Sequence, residues 1–392
     1  MEDQYTQRLE KIELVLDKLL PEKPDASWLK MVFGSQCGNV SSPAFDPLLE
    51  LAASLTRPGW DLVKRGGKRW RPLLMVLTAE AIAGESSGES ALSLVPLVEF
   101  PHNASLIHDD IEDNSDERRG EPAVHLVYGT DTAINAGAFM YFLPSACLSV
   151  WTEAGSGASS LFVQEIWASW ATHLRALHLG QAMDIAWHRD YHSLPGLDEY
   201  DRMCRLKTGC LARLAAVLGV YSAAADIFAS DDYDYPDIEM PDEFYPKDNY
   251  KKLHAFRKLA DAFGAAAEQL GVGFQILDDV KNLVSGVPGK KRGDDIVEGK
   301  KSLPVLLYLH RYPEKRDFAA RCFSAARAQG TAAPEVEEFI NALEKAGVLE
   351  EARTRGMAYI RESQETFSAP EIAGFPLMKE GRELLSGLVA KL

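Results

Sequence analysis

LHAFRKLADAFGAAAEQLGVGFQILDDVKN, residues 253–282, decides the fold. Its apolar side chains fall at Leu253, Phe256, Leu259, Phe263, Ala266, Leu270, Phe274 and Leu277. Those steps of three and four line one face of a long helix. The run ends in DDVKN at 278–282, so an apolar helix delivers carboxylates to its own end. Asp278 and Asn282 are four residues apart and share a helix face.

The same arrangement occurs upstream. An apolar run over 91–108 leads into DDIED at 109–113, where Asp109 and Asp113 repeat the four-residue spacing. Carboxylates are costly to desolvate, and clustered ones repel each other. Two such clusters at the ends of apolar helices imply that something cationic lies between them. Hard oxygen ligands in this pattern suit Mg²⁺, which binds through one or two carboxylates plus substrate phosphates. One DDxxD alone reads as a solvated acidic helix end. Two copies with flanking arginines and lysines do not.

Helical spacing continues at 336–349 through Val336, Phe339, Ile340, Leu343 and Leu349. Neither a set of alternating strands nor a repeat of 20–50 residues is evident. Breaks are expected at 85–89, 154–159, 284–295 and 328–334, none long enough for a domain linker. The expectation is one all-α domain over residues 46–392. Residues 1–45 read as an N-terminal extension, a helix followed by a loop. Residues 226–250 read as an acidic insertion with four tyrosines, best taken as a solvated loop.

Composition narrows the function. The chain has 42 lysines and arginines against 58 aspartates and glutamates, a formal charge of −16, which argues against a nucleic-acid partner. Basic islands at 64–71, 118–119 and 290–301 suit a small anionic substrate instead. Five cysteines without CxxC spacing indicate neither a disulfide framework nor a zinc site. A reducing compartment follows, and a cytoplasmic location is expected. The N-terminus lacks the pattern of a secretory signal. No stretch reaches the ~18 uncharged apolar residues of a membrane span, so no transmembrane segment is expected. The longest candidate, near 210–225, contains Arg213.

Further motifs supply cations and polar groups. GGKRWRP at 66–72 sets paired glycines before Lys68, Arg69 and Arg71, so backbone and positive charge can approach phosphate oxygens together. Arg118 and Arg119 follow the first carboxylates. KTG at 207–209 puts Lys207 and Thr208 in an otherwise apolar helix, where lysine usually snorkels to solvent. Gln181 and Asp184 lie in GQAMD, Gln275 precedes Asp279 by one turn, and 289–304 supplies Lys291, Asp295 and Lys300.

In this order the motifs GGKxxRP, DDxxD…RRG, GQ, KTG, FQxxDDxxN and DxxEGK resemble the trans-isoprenyl diphosphate synthases of the polyprenyl synthetase family. The match runs from about residue 60 to 305. HNASLIHDDIEDNSDERRGEPAVH and Asn282 in the second motif resemble geranylgeranyl diphosphate synthases of the animal and fungal type. The resemblance implies an antiparallel helical bundle around a deep central cavity, a prenyltransferase activity and a homodimer. It implies that Asp109, Asp110 and Asp113 on one wall, and Asp278 and Asp279 on the other, hold three Mg²⁺ ions. These would bind the diphosphate of an allylic substrate (dimethylallyl, geranyl or farnesyl), helped by Arg118, Lys207 and Lys300. Lys68, Arg71, His102 and Arg119 would bind isopentenyl diphosphate. Asp184 and Lys291 would lie near the metal–diphosphate cluster, and Asp295 would anchor the following loop. Thr208 and Gln275 would offer oxygen dipoles to a carbocation without attacking it.

Three more expectations concern the site's surroundings. Pro101 should kink the helix that leads to the first motif and so disturb His102. His108 should be packed or solvent-facing rather than a metal ligand. Ser105 and Ala104 lie one turn, about 5.4 Å, deeper than Asp109. Being small, they leave a growing tail free to pass the C15 stage, until Phe139, Tyr141, Phe142 or Val98 stops it. The expected product is geranylgeranyl diphosphate, C20, with a longer chain as the alternative. Rival readings are a class I terpene cyclase, which needs no second diphosphate site, and a non-catalytic partner subunit of a prenyl synthase.

Overall fold

Apolar residues at helical spacing recur along the chain, and helices carry most of the described residues. The computed structural model describes residues 2–34, 46–148, 157–229, 247–286 and 291–391. The N-terminal half holds α1 (Glu2–Leu19), α2 (Ala26–Phe33), α3 (Asp46–Lys64), α4 (Trp70–Ala83), α5 (Glu85–Leu92), α6 (Pro96–Asp113), α7 (Val124–Tyr128) and α8 (Thr130–Phe142). The centre holds α9 (Gly157–Arg189), α10 (Leu197–Cys204), α11 (Cys210–Ala229) and α12 (Lys247–Val284). The C-terminal part holds α13 (Asp294–Glu298), α14 (Leu303–Arg311), α15 (Arg316–Gln329), α16 (Pro334–Lys345), α17 (Val348–Ser368) and α18 (Lys379–Lys391). Strand pairing among the described residues is confined to two hairpins, Glu117–Arg118 with Glu121–Pro122 and Glu371–Ile372 with Phe375–Pro376.

The long helix α12 passes through two cores. Leu253, Phe256, Leu259, Phe263, Ala266 and Leu270 are buried, as the spacing predicts, in a core that α12 shares chiefly with α11 and α17. Beyond Leu270 the buried face changes to Val272, Ile276, Val280 and Leu283, which pack with α10 and α14–α17. Phe274, expected in the core, instead lines a cavity. A helix wedged between two hydrophobic clusters must present a different face to each, and the acidic motif emerges where the faces change.

Burial all round explains α4 and α11, which show almost no amphipathic pattern. Residues 70–82 of α4 are all buried. The run Leu197–Phe228 is long and apolar enough to cross a membrane by composition, but 83% of its most apolar window is buried inside the protein. It forms the centre of the bundle.

Local differences have local causes. Residues 85–89 are helical, and the break falls one residue earlier at Gly84, whose φ of 87° disfavours other residues. The N-terminal loop contains α2, capped by Asp25, whose side chain accepts the Trp28 N–H at 2.7 Å. Helix α1 is tied down rather than loose. It buries Ile12 and Leu16, and Arg8 forms an ion pair with Glu80 at 2.8 Å. Full burial of each aliphatic side chain contributes about 1.5–3 kcal/mol. Most of the acidic insertion, residues 230–246, lies outside the described residues, as do 35–45 and 149–156. Helix α6 runs through Pro101 without interruption, and His102 remains on its inner side.

Candidate active site

Glycines bring the site's backbones together. Between α10 and α11 the helix widens into a single π turn, Arg205–Gly209, which carries the KTG motif. Such turns expose side chains that a regular helix would stack away. A Cβ on Gly180 of α9 would lie 2.4 Å from the Lys207 nitrogen, and one on Gly271 of α12 would lie 2.8 Å from the Gly209 Cα. Only glycine permits both approaches. Lys207, Thr208, Gln181 and Gln275 consequently line one cavity of about 420 Å³.

The first acidic motif forms one wall. Asp109 accepts a hydrogen bond from Gln181 Nε2 at 2.8 Å and lies 3.4 Å from Lys207 Nζ. Asp110 is buried and does not line the cavity among its described residues; it accepts the Nε–H of Arg118 at 2.9 Å. Asp113 is also buried. Its Oδ2 lacks a hydrogen-bond partner, and Lys300 Nζ stands 4.0 Å away. Burial, then Asp109, pushes the Asp113 carboxyl up to about 7. Helix α6 stops at Asn114, a left-handed residue with φ 54°. The hairpin that follows turns through Arg119 and Gly120, both at positive φ; it folds Arg118 back over the motif and sends Arg119 to the Leu62 carbonyl at 2.8 Å.

The second motif forms the facing wall. Asp278 is exposed and lines the same cavity as Asp109. Asp279 is buried and accepts from Gln275 Nε2 at 2.7 Å and Tyr200 Oη at 3.2 Å. Burial, then Asp295, pushes its carboxyl up to about 8. Thr208 Oγ1 donates to Gln275 Oε1 at 2.8 Å, so these two dipoles are coupled across the pocket. Lys300 closes the end, 2.6 Å from Glu298 and 3.6 Å from Asp295, and its backbone N–H bonds to the Asp295 carbonyl at 2.9 Å.

A second, cationic recess lies in the same cavity. Lys68, Arg71, His102 and Arg119 line it with Trp70 and Phe274. The Arg71 guanidinium stacks 4.4 Å from the Trp70 ring, and its Nε lacks a hydrogen-bond partner. Burial pulls Arg71 and Arg119 down to about 10, and burial with the neighbouring arginines keeps His102 neutral. Buried cations this weakly answered are suited to an incoming anion.

Several sequence expectations take different places. Lys291 does not line the cavity: its side chain is exposed, and its backbone is held by Asp294 and Asn282. Asn282 does line it, yet its amide clamps the next loop, donating to the Lys291 carbonyl at 3.3 Å and accepting the Asp295 N–H at 3.2 Å. Ser105 lines the cavity, whereas Ala104 and Val98 are buried in the core. Phe139 stacks on Phe33 and meets Trp28 edge to face, and Phe142 is 71% exposed, so neither lines the cavity. Tyr141 does line it, packed between His108 and His178. His108 is packed as expected, facing the Ile134 carbonyl at 3.2 Å.

Sequence reasoning missed Lys301. It lines the cavity but is fully buried, with Nζ 4.4 Å from the Phe323 ring centre, and burial pulls it down to about 8. Only the intervening fold reveals that Lys300 and Lys301 face different surroundings.

The donors fit magnesium in one specific sense. Among the described residues no three acidic or histidine side chains converge on a single point. The Asp113 oxygen without a partner, and the raised carboxyls of Asp113 and Asp279, mark a cluster short of positive charge. Such a site suits an ion that takes one or two carboxylates and completes its shell with phosphate and water.

Comparison with known proteins agrees. The sequence matches the polyprenyl synthetase family over residues 52–235 and 253–343. It is 30% identical over 308 residues to a geranylgeranyl diphosphate synthase of Methanosarcina mazei, covering 78% of this chain and 80% of that one. It is 26% identical over 332 residues to a geranylfarnesyl diphosphate synthase of Aeropyrum pernix, covering 84% and 90%. It is 34% identical over 257 residues to a short chain isoprenyl diphosphate synthase of Methanocaldococcus jannaschii, covering 65% and 66%. The fold superposes on geranylgeranyl pyrophosphate synthetase from Pyrococcus horikoshii with a TM-score of 0.70 at 23% identity, covering 100% of this chain and 99% of that one. The chain belongs to the polyprenyl synthetase family and is a prenyltransferase of the isoprenoid synthase fold.

Proposed function

We propose that the protein condenses an allylic diphosphate with isopentenyl diphosphate, head to tail, to give a longer trans-prenyl diphosphate. The observation that carries this reading is that one cavity holds two separate groups of charged side chains. The facing carboxylates of Asp109 and Asp278 define one, and Lys68, Arg71 and Arg119 define the other. A terpene cyclase has no use for the second, and a non-catalytic partner subunit has no use for either.

Asp109, Asp113 and Asp278, with Asp110 and Asp279 beside them, would hold Mg²⁺, three ions by the family resemblance. When bound, magnesium neutralises the charge that develops on a leaving diphosphate. Arg118, Lys207 and Lys300 add fixed positive charge to the same end of the cavity. The allylic C1–O bond breaks with its electron pair passing to the diphosphate. The double bond of isopentenyl diphosphate supplies the new pair to C1, and a proton leaves the adduct to the released diphosphate. The paired dipoles of Thr208 and Gln275 face the electron-poor carbon without a strong nucleophile. Trp70, Leu106, Leu177, Leu211 and Phe274 keep water from the reacting carbons.

Ser105 and Tyr141 support a product beyond C15 that ends near C20, geranylgeranyl diphosphate. Exposed Leu126, Val127, Ile134 and Phe142 on α7 and α8, with Trp167 and Leu179 on α9, support a homodimer. A cytoplasmic location completes the reading. The test is incubation of the purified protein with Mg²⁺, radiolabelled isopentenyl diphosphate and each allylic primer in turn, with the products sized. The expected result is elongation from at least one primer. Release of hydrocarbon from geranylgeranyl diphosphate alone would favour the cyclase, and absence of any turnover would favour the partner subunit.

A further inference from the structure

The turn before α4 carries Lys68 into the cavity and launches the helical turn that bears Arg71. One side chain, Arg69, holds that turn together. Its backbone is left-handed, φ 48° and ψ 27°, a conformation that residues other than glycine adopt only when their surroundings hold them there. Its buried guanidinium donates from Nη2 to the Val63 carbonyl at 2.5 Å, and from Nη1 to the Gly66 carbonyl at 3.2 Å and Glu99 Oε1 at 3.0 Å. Nε donates to Glu13 Oε1 at 2.7 Å. Gly67 lies so close that a Cβ there would stand 3.1 Å from Arg69 Nη1. The loop is therefore wrapped around a cation whose orientation is fixed from two sides. Glu99 comes from α6 and lines the cavity; Glu13 comes from α1 and does not.

We infer that Glu13, on the N-terminal extension, is a positioning residue for the second substrate's diphosphate. Through Arg69 it holds Lys68 and Arg71 in their binding geometry. The inference rests on the assignment of the cationic recess to isopentenyl diphosphate. With Glu99 alone, the Arg69 guanidinium loses one of two carboxylate restraints and the left-handed turn loses part of its support. The two substrate cations are then less preorganised, and binding weakens. The allylic site, built on α6, α12 and the π turn, does not share this restraint. Helix α1 thus acts as a brace on one substrate site rather than as a general stabiliser.

Calorimetric titration with isopentenyl diphosphate and steady-state kinetics on the full-length protein test this, using Glu13→Gln and a control on the same helix. The control is Asp17→Asn, which removes an ion pair of 2.6 Å to Lys64 on α3. The Glu13 side chain is 38% exposed, so the expected effect is modest. Glu13→Gln should raise the Kd and KM for isopentenyl diphosphate about three- to tenfold. The allylic KM should stay within about twofold, and Asp17→Asn should leave both substrates unchanged. Glu13→Asp, which keeps the charge, should recover part of the loss. A wild-type protein that binds no isopentenyl diphosphate overturns the assignment of the recess and the inference with it. A wild type that binds it, with Glu13→Gln binding it equally well or losing both substrates alike, overturns the role of Glu13 alone.

Discussion

Lys207 Nζ lies 2.5 Å from Asp184 Oδ2 and 3.4 Å from Asp109 Oδ1. A cation from the π turn thus joins the first acidic motif to a carboxylate on α9. The pair is partly counter-charge and partly scaffold, because it fixes the ammonium where a diphosphate would meet it. Burial alone would raise the Asp184 carboxyl, but Lys207 and Lys300 outweigh it and hold Asp184 below the usual carboxylate value.

Asp184→Asn should therefore cost stability and turnover together. One partner of a buried pair is removed, but Asp109 still answers Lys207, so the loss is about 1–3 kcal/mol rather than the ~3–5 of a wholly stranded charge. Because the folded carboxyl is depressed, its stabilisation is present above the unfolded value near 4 and is lost as pH falls through the folded value. Urea unfolding at pH 7 and pH 3 checks the sign. The gap between wild type and variant should narrow at pH 3, and a gap that stays constant would remove the ion pair as its cause.

Asp113 and Asp279 act in the opposite direction. Burial, with Asp109 and Asp295 respectively, raises them to about 7 and about 8. Between the unfolded value and those values the folded state binds more protons, so stability falls as pH rises. The metal-free protein should lose melting temperature steadily from pH 5 to pH 8. Asp279→Asn, which keeps the shape without the charge, should flatten the decline. Mg²⁺ with inorganic pyrophosphate should restore stability most at pH 8, where the carboxylates are ionised. Scanning calorimetry across that range reads all three effects. A wild-type curve that is level or rises would contradict the raised carboxyls.

Much of this was legible in the sequence. Residues 253–270 kept one apolar face because a single core surrounds them, so spacing alone sufficed. Past Leu270 a second core lies on another side of α12, and periodicity could not announce that Phe274 turns to a cavity while Val272 and Ile276 are buried. Asp109, Asp278, Asp279 and the cations Lys68, Arg71, Arg119, Lys207 and Lys300 all reached one cavity, whereas Asp110 and Asp113 are buried beside it. Their chemistry is written in residue type, and the family's motif order supplied the rest. What the sequence concealed was geometry made by close approach. The widening of KTG into a π turn, the use of Asn282 as a loop clamp and the burial of Lys301 each depend on distant neighbours.

Gly180→Ala tests that close approach directly. The new methyl would meet the Lys207 backbone at 2.4 Å, and backbone cannot swing aside as a side chain can. Overpacking of this kind costs about 1–3 kcal/mol. The larger effect should fall on catalysis, since α9 and the π turn must separate and Gln181 and Lys207 move with them. A displacement of about 1 Å at a reacting site lowers turnover roughly 100-fold. Single-turnover rates measured beside thermal unfolding separate the two effects. A variant as active as wild type would mean that the helices have room the geometry denies. Gly271→Ala, on the opposite side of the same turn, should behave alike.

The point at which a growing tail stops should be set by Ser105 and Tyr141. Ser105 lies one turn beneath Asp109 and lines the cavity, and Tyr141 closes the wall beside it, packed 5.7 Å from the His108 ring and 5.0 Å from the His178 ring. Gly137 makes room for this cluster, because a Cβ there would come within 2.6 Å of His108 Nε2. A phenylalanine at Ser105 should block the tail one isoprene unit early and shift the product from C20 to C15. Tyr141→Ala should open the wall and add C25 and longer chains. Phe142→Ala, at a position 71% exposed, should leave the distribution unchanged. Ser105→Phe and Tyr141→Ala each move the boundary by about one helical turn, 5.4 Å, near the length of one five-carbon unit. Chromatographic sizing of radiolabelled products from the three variants decides the matter. Unchanged chain length in both Ser105→Phe and Tyr141→Ala would relocate the floor to another part of the cavity.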